Sequence, residues 1–364
     1  MLFEYFEKKV YLMRRVINNK YSYSYDIIRI IAVFLVIFTH TGKLGSKIYA
    51  YQGIINPDTI GYIGFDILRT VNVPLFFMVS GALLLDKSES LKQVFTKRVS
   101  KYSLTLFLTA ALYYFVVHKH PLSEIGFLLR GLYRNDNGIV EFHLWFLYSY
   151  IGYLLLLPFL RKIAKQMTMQ DFKYIVIMGF VFKGIERILN GGVGLGPFAV
   201  PFVFGYDMIF YPILGYCMSH LLSDEQYTIK YMILGILGSV ICVVITAQMM
   251  IFDFHQNGAW SERYIDMLTM VPAGTIFYII KLMEQRVKLN SNWCRFVSFC
   301  GSNAFGIYLF SEMFSPILIY KIYNPLVGYA PAYVICIVMI IGNMFMGLML
   351  TSILKIIPFF KRIL

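Results

Sequence analysis

Charge is scarce in this chain. Asp, Glu, Lys and Arg make up 15% of its 364 residues, where a soluble domain would carry about a quarter. That deficit excludes a disordered protein and a coiled coil, and it argues against a water-soluble enzyme. Cysteine motifs are missing too. Cys217, Cys242, Cys294, Cys300 and Cys336 form no C-x-x-C pair and no His-interleaved zinc spacing, which excludes a disulfide framework and leaves no metal site to expect; small buried thiols account for them. The first 24 residues lack the continuous apolar run and small-residue cleavage site of a signal peptide. No polar linker of domain length and no internal repeat divides the chain.

What is abundant is apolar surface. Hydrophobic residues make up 58% of the chain and the mean hydropathy is +0.65, so the bilayer is the solvent that the composition fits. A hydrocarbon core of roughly 30 Å takes about 20 apolar helical residues. Ten stretches meet that requirement, at about 25–42, 61–85, 101–118, 141–160, 172–190, 198–221, 230–252, 264–282, 296–320 and 332–357. The expected fold is an all-α polytopic bundle of about ten transmembrane helices. The fifth stretch is the weakest, because Lys183, Glu186 and Arg187 interrupt it and NGGVGLGP follows.

The net charge of +13 is distributed as topology. The N-terminus, alternate loops and C-terminus with their span edges hold 22 Lys and Arg, against nine in the opposite loops. By the positive-inside rule both termini are cytoplasmic, and no nucleic-acid partner is needed to explain the basic excess. Residues 1–24 place Leu2, Phe3, Phe6, Val10, Met13 and Ile17 on one helical face and leave four basic residues for lipid headgroups, the pattern of a cytoplasmic interfacial segment. Residues 25–357 form one integral domain, and 358–364 form a short basic tail.

Ionisable groups within spans are costly, at least about 2.5–3.5 kcal/mol at the bilayer centre, so each invites a functional hypothesis. Arg29 and His40 stand eleven residues apart in the first span, hence on one helix face and roughly 16 Å apart along the axis, with Arg29 towards the cytoplasm and His40 towards the exterior. A snorkelling arginine and a packing histidine are the structural alternatives. The second span carries Asp66 and Arg69, which either neutralise each other as a helical pair or line a binding site, and its Pro74 and Gly81 weaken the helix. EFHLWFLY brings Glu141 and His143 to the depth of His40, and GIYLFSE brings Glu312 there. On the inner side Lys92, Lys97, Arg98 and Lys101 either serve only topology or, with Arg29, form a seat for an anionic cytosolic ligand. Asp207 falls within the sixth span, whereas Asp253 and His255 read as exterior loop residues.

These residues in this order resemble the acyltransferase 3 family of bacterial integral-membrane acyltransferases. The resemblance rests on R-x10-H (Arg29, His40), FFMVSG (Phe76 to Gly81), the basic KRVSK, HLWFLY and GIYL, which run over most of the chain. It implies transfer of an acyl group, commonly acetyl, from cytosolic acyl-CoA to a hydroxyl of a cell-surface glycan or its lipid-linked precursor. It also implies a multi-pass protein of the bacterial cytoplasmic membrane. Arg29 and His40 take the family's catalytic positions, with His143 and Glu312 as further catalytic candidates. Arg29, Arg98 and Lys101 are the candidates for holding the donor, and Asp66, Arg69 and Glu141 for the acceptor. Lys101 replaces the second arginine of the family's R-x-x-R and so loses its bidentate fork; Ser311, followed by Glu312, stands where the family often has histidine. No fused hydrolase-like domain is expected, so a soluble extracytoplasmic partner, if one takes part, is a separate chain. The competing class is a multi-span transporter or flippase, because intramembrane Arg, Asp and His also mark substrate pathways.

Overall fold

Backbone groups in lipid find no water to bond, so apolar sequence of this kind folds as helices. The computed structural model describes residues 22–51, 57–192 and 202–364, and among these no β-strand occurs. The amphipathic segment expected before residue 22 lies outside the described residues. In chain order the helices are α1 (Ser24–His40), α2 (Pro57–Arg69), α3 (Asn72–Leu84), α4 (Leu91–Val117), the short α5 (Ile125–Arg134) and α6 (Trp145–Gln166), which is entered by the turn Phe142–Leu144. Helix α7 begins as Met169–Gly179, widens into π geometry over Phe180–Ile185 and ends as Glu186–Gly192. There follow α8 (Asp207–His220), α9 (Ile229–Asn257), α10 (Met270–Arg286), α11 (Ser291–Leu326), α12 (Ala332–Leu354) and α13 (Pro358–Ile363).

Among the described residues six helices are long and apolar enough to cross a membrane: α2 with α3, α4, α6 with its entry turn, α9, α11 and α12. The chain is thus an all-α membrane protein. Helices α1, α8 and α10, with 17, 14 and 17 residues, fall short of about 20. They sit inside the bundle, where α1 packs against α11, α3 and α12, and α3 against α8.

Small residues set these close packings, as expected where lipid gives helices no hydrophobic reason to associate. A Cβ on Gly81 would stand 1.9 Å from the Pro212 carbonyl oxygen, and one on Gly215 2.1 Å from that of Met78, so α3 and α8 touch backbone to backbone. Gly301 does the same for α11 against Asp26 of α1, which fixes the first turns of α1, and Arg29 with them.

Several boundaries differ from the apolar stretches. The second stretch tightens at Thr70 and Val71, whose amides donate to carbonyls three residues back, before Pro74 is reached; Pro74 then occupies the first turn of α3, where its missing N–H costs nothing. Among the described residues of the sixth stretch, α8 begins at Asp207 after a 3-10 turn at Val203–Gly205, and the Asp207 carboxylate stands in the first turn, at the positive end of the helix. Asp253 and His255 belong to the last turns of α9, not to a loop, and Asp253 is buried against Asn257 and Ser261. The C-terminal segment is ordered on α4, where Thr105 donates to the Ile363 carbonyl.

Candidate active site

Helix α1 spaces its two ionisable groups along one face, and the helices around it leave a cavity at each. The outer cavity, about 370 Å³, has His40, Arg69, Asn72 and His143 in its wall. The inner cavity, about 270 Å³, has Arg29, Ser80, Tyr102 and Tyr150. Phe76, Phe146 and Tyr308 belong to both walls, and their rings meet in sequence, Phe76 to Phe146 at 5.8 Å and Phe146 to Tyr308 at 5.7 Å. An aromatic partition therefore stands between the arginine end and the histidine end of α1.

At the outer cavity the His40 imidazole has no hydrogen-bond partner among the described residues and stands edge to face with His143, ring centroids 6.0 Å apart. His143 is almost completely buried, packed between the rings of Tyr113 and Tyr308. Tyr308 donates its hydroxyl to the His143 carbonyl at 2.6 Å, while the His143 Nε2 has no protein partner. One imidazole thus faces the cavity and the other is held behind it.

Arg69 also reaches this cavity. Its Nε donates to Asp66, which is fully buried and accepts from the Tyr49 hydroxyl at 2.7 Å; its Nη2 donates to Glu262 at 2.9 Å. Lys47 joins Glu262 at 2.7 Å. Burial works against ionisation of Glu262, yet Lys47 and Arg69 hold its carboxyl below the ordinary glutamate range. Asn72 donates to Thr39 one residue before His40. Lys183, carried on the widened turn of α7, pairs with Asp207 at 2.5 Å, and Arg187 pairs with Asp266 at 2.7 Å. Two of the three charges that weaken the fifth apolar stretch, Lys183 and Arg187, are therefore neutralised across the bundle.

At the inner cavity Arg29 donates to Asp26 at 2.7 Å and keeps about a third of its side chain exposed. Arg98 sits nearby but is engaged, donating through both Nε and Nη2 to Glu89 at 2.7 Å. Arg161, nearly buried, shares the same carboxylate at 2.8 Å and donates its Nε to the Leu84 carbonyl. The hydrogen bond from Arg98, outweighing the cost of burial and assisted by Arg161, pushes Glu89 down to about 2. Lys101 places its ammonium 5.5 Å from the ring of Tyr102, a residue that lines the cavity.

Three of the expected groups, Asp66, Glu141 and Glu312, stand off the cavity. Glu141 shares a short hydrogen bond with the His118 Nε2, and the Glu312 Oε1 is buried without a partner among the described residues. Asp66 acts on the cavity only through Arg69. Lys47, Glu262, Lys183, Arg187, Asp266 and Tyr308 line or border the outer cavity without having been singled out as site residues. Tyr308 is legible within GIYL, and Lys183, Arg187 and Asp266 as charges within apolar stretches; Lys47 and Glu262 lie in connections, where charge is ordinary.

The fold and cavities define a polytopic membrane protein with a histidine site and an arginine site joined along one helix. The acyltransferase 3 family, described as an acyltransferase domain, matches residues 22–348, and the chain belongs to it. It is accordingly a membrane acyltransferase. Neither curated proteins nor solved structures give a match. Part of each motif but KRVSK reaches a cavity wall: Arg29 and Ser80 line the inner cavity, His40, His143 and Trp145 the outer one, and Phe76, Phe146 and Tyr308 the partition.

Proposed function

We propose that this acyltransferase moves an acyl group, commonly acetyl, from cytosolic acyl-CoA to a hydroxyl of a cell-surface glycan or its lipid-linked precursor. The observation that carries the proposal is the end-to-end placement of the two cavities, with Arg29 in one and His40 in the other. Ten crossings with both termini cytoplasmic would put the Arg29 end at the cytosol of a bacterial cytoplasmic membrane. The donor's phosphates meet Arg29 there, with Arg98 and Lys101 beside it, and the pantetheine arm extends past Phe76, Phe146 and Tyr308 towards His40. Residues 25–357 would constitute the catalytic domain, with the N-terminal segment held on anionic lipids.

In the transfer, His40 accepts the proton of the acceptor hydroxyl and the hydroxyl oxygen attacks the thioester carbonyl. The carbon–sulfur bond breaks, and the proton passes to the departing thiolate, so free CoA and the ester are the products. In the covalent variant the His40 nitrogen attacks first and the acceptor then takes the acyl group from it. Histidine suits either role because its ordinary pKa lies near neutrality. His143 is a positioning residue, setting the ring of His40.

The test is mass spectrometry of cell-surface glycans from cells with and without the chain, together with thiol release from acetyl-CoA by the reconstituted protein. An ester present only with the chain, and thiol release dependent on His40, is the expected result. Transport of an unmodified substrate without thiol release would establish the carrier reading instead.

A further inference from the structure

A third cavity, about 600 Å³, opens beside the histidine site and shares with it the walls Val73, Trp145, Lys183, Asp207 and Asp266. Two features of its lining bear on what it can hold. The first is aromatic: Trp145 and Tyr206 border it with 37% and 63% of their surface exposed, presenting ring area in the cavity wall. The second is a set of charges cancelled in pairs. Lys183 is bound to Asp207 and Arg187 to Asp266, and Glu186 adds a carboxylate. At the junction with the histidine site, Lys47 and Arg69 share Glu262. Across the two connected cavities, four cations thus face four carboxylates among the described residues.

A wall of this kind is rich in hydrogen-bonding groups and poor in net field. Carboxylates accept from hydroxyls, and guanidinium and ammonium groups donate to them, while aromatic faces take the apolar C–H face of a sugar ring. A phosphorylated or uronic acceptor would meet Glu186, Asp207 and Asp266 with no unpaired cation to offset the repulsion. A cationic acceptor would meet Lys183 and Arg187, with Glu186 the one lining carboxylate not already held in a pair among the described residues. An uncharged polyol suffers neither.

We infer that this cavity is the acceptor seat and that it selects a neutral, hydroxyl-rich saccharide, delivering a hydroxyl past Trp145 to His40. The inference rests on the acyl-transfer reading above. The widened turn at Phe180–Ile185 carries Lys183 to Asp207, at the boundary of the two cavities.

The experiment uses the full chain in lipid nanodiscs and saturation-transfer NMR with neutral trisaccharides (maltotriose, cellotriose, chitotriose) and with trigalacturonate. At least one neutral trisaccharide is expected to bind, and trigalacturonate at least tenfold more weakly. Tyr206→Ala should weaken that binding about tenfold, Tyr206→Phe should largely retain it, and Asp266→Asn should narrow the margin against trigalacturonate. Acetyl-CoA binding, measured on the same samples, should change less than twofold in each variant and serves as the control for folding. Binding of none of the neutral trisaccharides, preference for the uronate, or equal binding by Tyr206→Ala overturns the inference. Loss of acetyl-CoA binding by the parent chain would strike at the acyl-transfer reading instead, and saccharide binding would still be read independently.

Discussion

Replacing His40 with Gln tests the chemistry while disturbing little else. The imidazole makes no hydrogen bond to the described residues, so no partner is orphaned, and the outer cavity leaves room for the amide. A stability loss of about 1 kcal/mol or less is expected, within the range of ordinary point changes. Gln can still donate and accept a hydrogen bond but has no basicity near neutral pH. Removal of a general base costs about 10²–10⁴-fold, equivalent to roughly 2.7–5.4 kcal/mol of barrier at about 1.36 kcal/mol per decade. A covalent relay would lose more. Donor affinity should be unchanged, because Arg29 lies about 16 Å away along the same helix, beyond the aromatic partition. The assay is thiol release from acetyl-CoA by the purified variant, with donor binding measured by calorimetry on the same preparation. His143→Gln is the companion variant. Acting through His40, it should lower turnover less, and the double variant should be little worse than His40→Gln alone. Turnover of His40→Gln within threefold of the parent, with donor binding intact, would refute the assignment; strict additivity of the pair would refute the positioning role of His143.

Other expectations follow from single contacts. Glu89 has its carboxyl held near 2 against an ordinary 4.5, so its ion pairs contribute fully above about pH 4.5 and are lost as pH falls from there to 2; Glu89→Gln should cost about 3 kcal/mol at pH 7 and little at pH 2.5, read by thermal unfolding in detergent. Gly81→Val forces a side chain onto the Pro212 carbonyl oxygen, and because backbone cannot yield as a side chain can, a loss of about 3 kcal/mol or more and a polydisperse elution profile are expected. Tyr308→Phe keeps the partition ring but removes the bond to the His143 carbonyl, so about 1 kcal/mol of stability and a several-fold loss of turnover should be seen, with donor binding retained. For topology, a cysteine placed at Lys119 should react with an impermeant thiol reagent added outside cells and one at Ser90 should not; the reverse pattern would invert the orientation.

The hydropathy of the chain made its helices legible because apolar length is a local property. A helix is present in each of the ten stretches, and the eleven-residue spacing of Arg29 and His40 set both on cavities. Boundaries were less legible where a side chain, not hydropathy, determines them. Asp207 starts α8 because a carboxylate at a helix N-terminus is favourable and pairs with Lys183, a partner 24 residues away. Sequence position sets Glu141 and Glu312 at a depth like that of His40, yet depth does not specify direction around a helix axis. The contact of Glu141 with His118, at the end of α4, depends on how α4 leans on its neighbours.

The partition gives the distance between Arg29 and His40 a physical meaning. A water-filled path joining two such groups across a bilayer would leak ions, whereas three rings at 5.8 and 5.7 Å close the path with apolar surface that a slender thioester arm can displace more readily than a hydrated ion can. Phe76 comes from α3, Phe146 from α6 and Tyr308 from α11, so opening needs only side-chain rotation and leaves the backbone contacts at Gly81 and Gly215 untouched. Tyr308 binds the His143 carbonyl through its hydroxyl and packs on the His143 ring, which makes one wall of the passage also the support of the histidine pair. Entry of a donor arm would then press on the residue that orients His40, coupling occupancy of the arginine end to the geometry of the base through a chain of direct contacts.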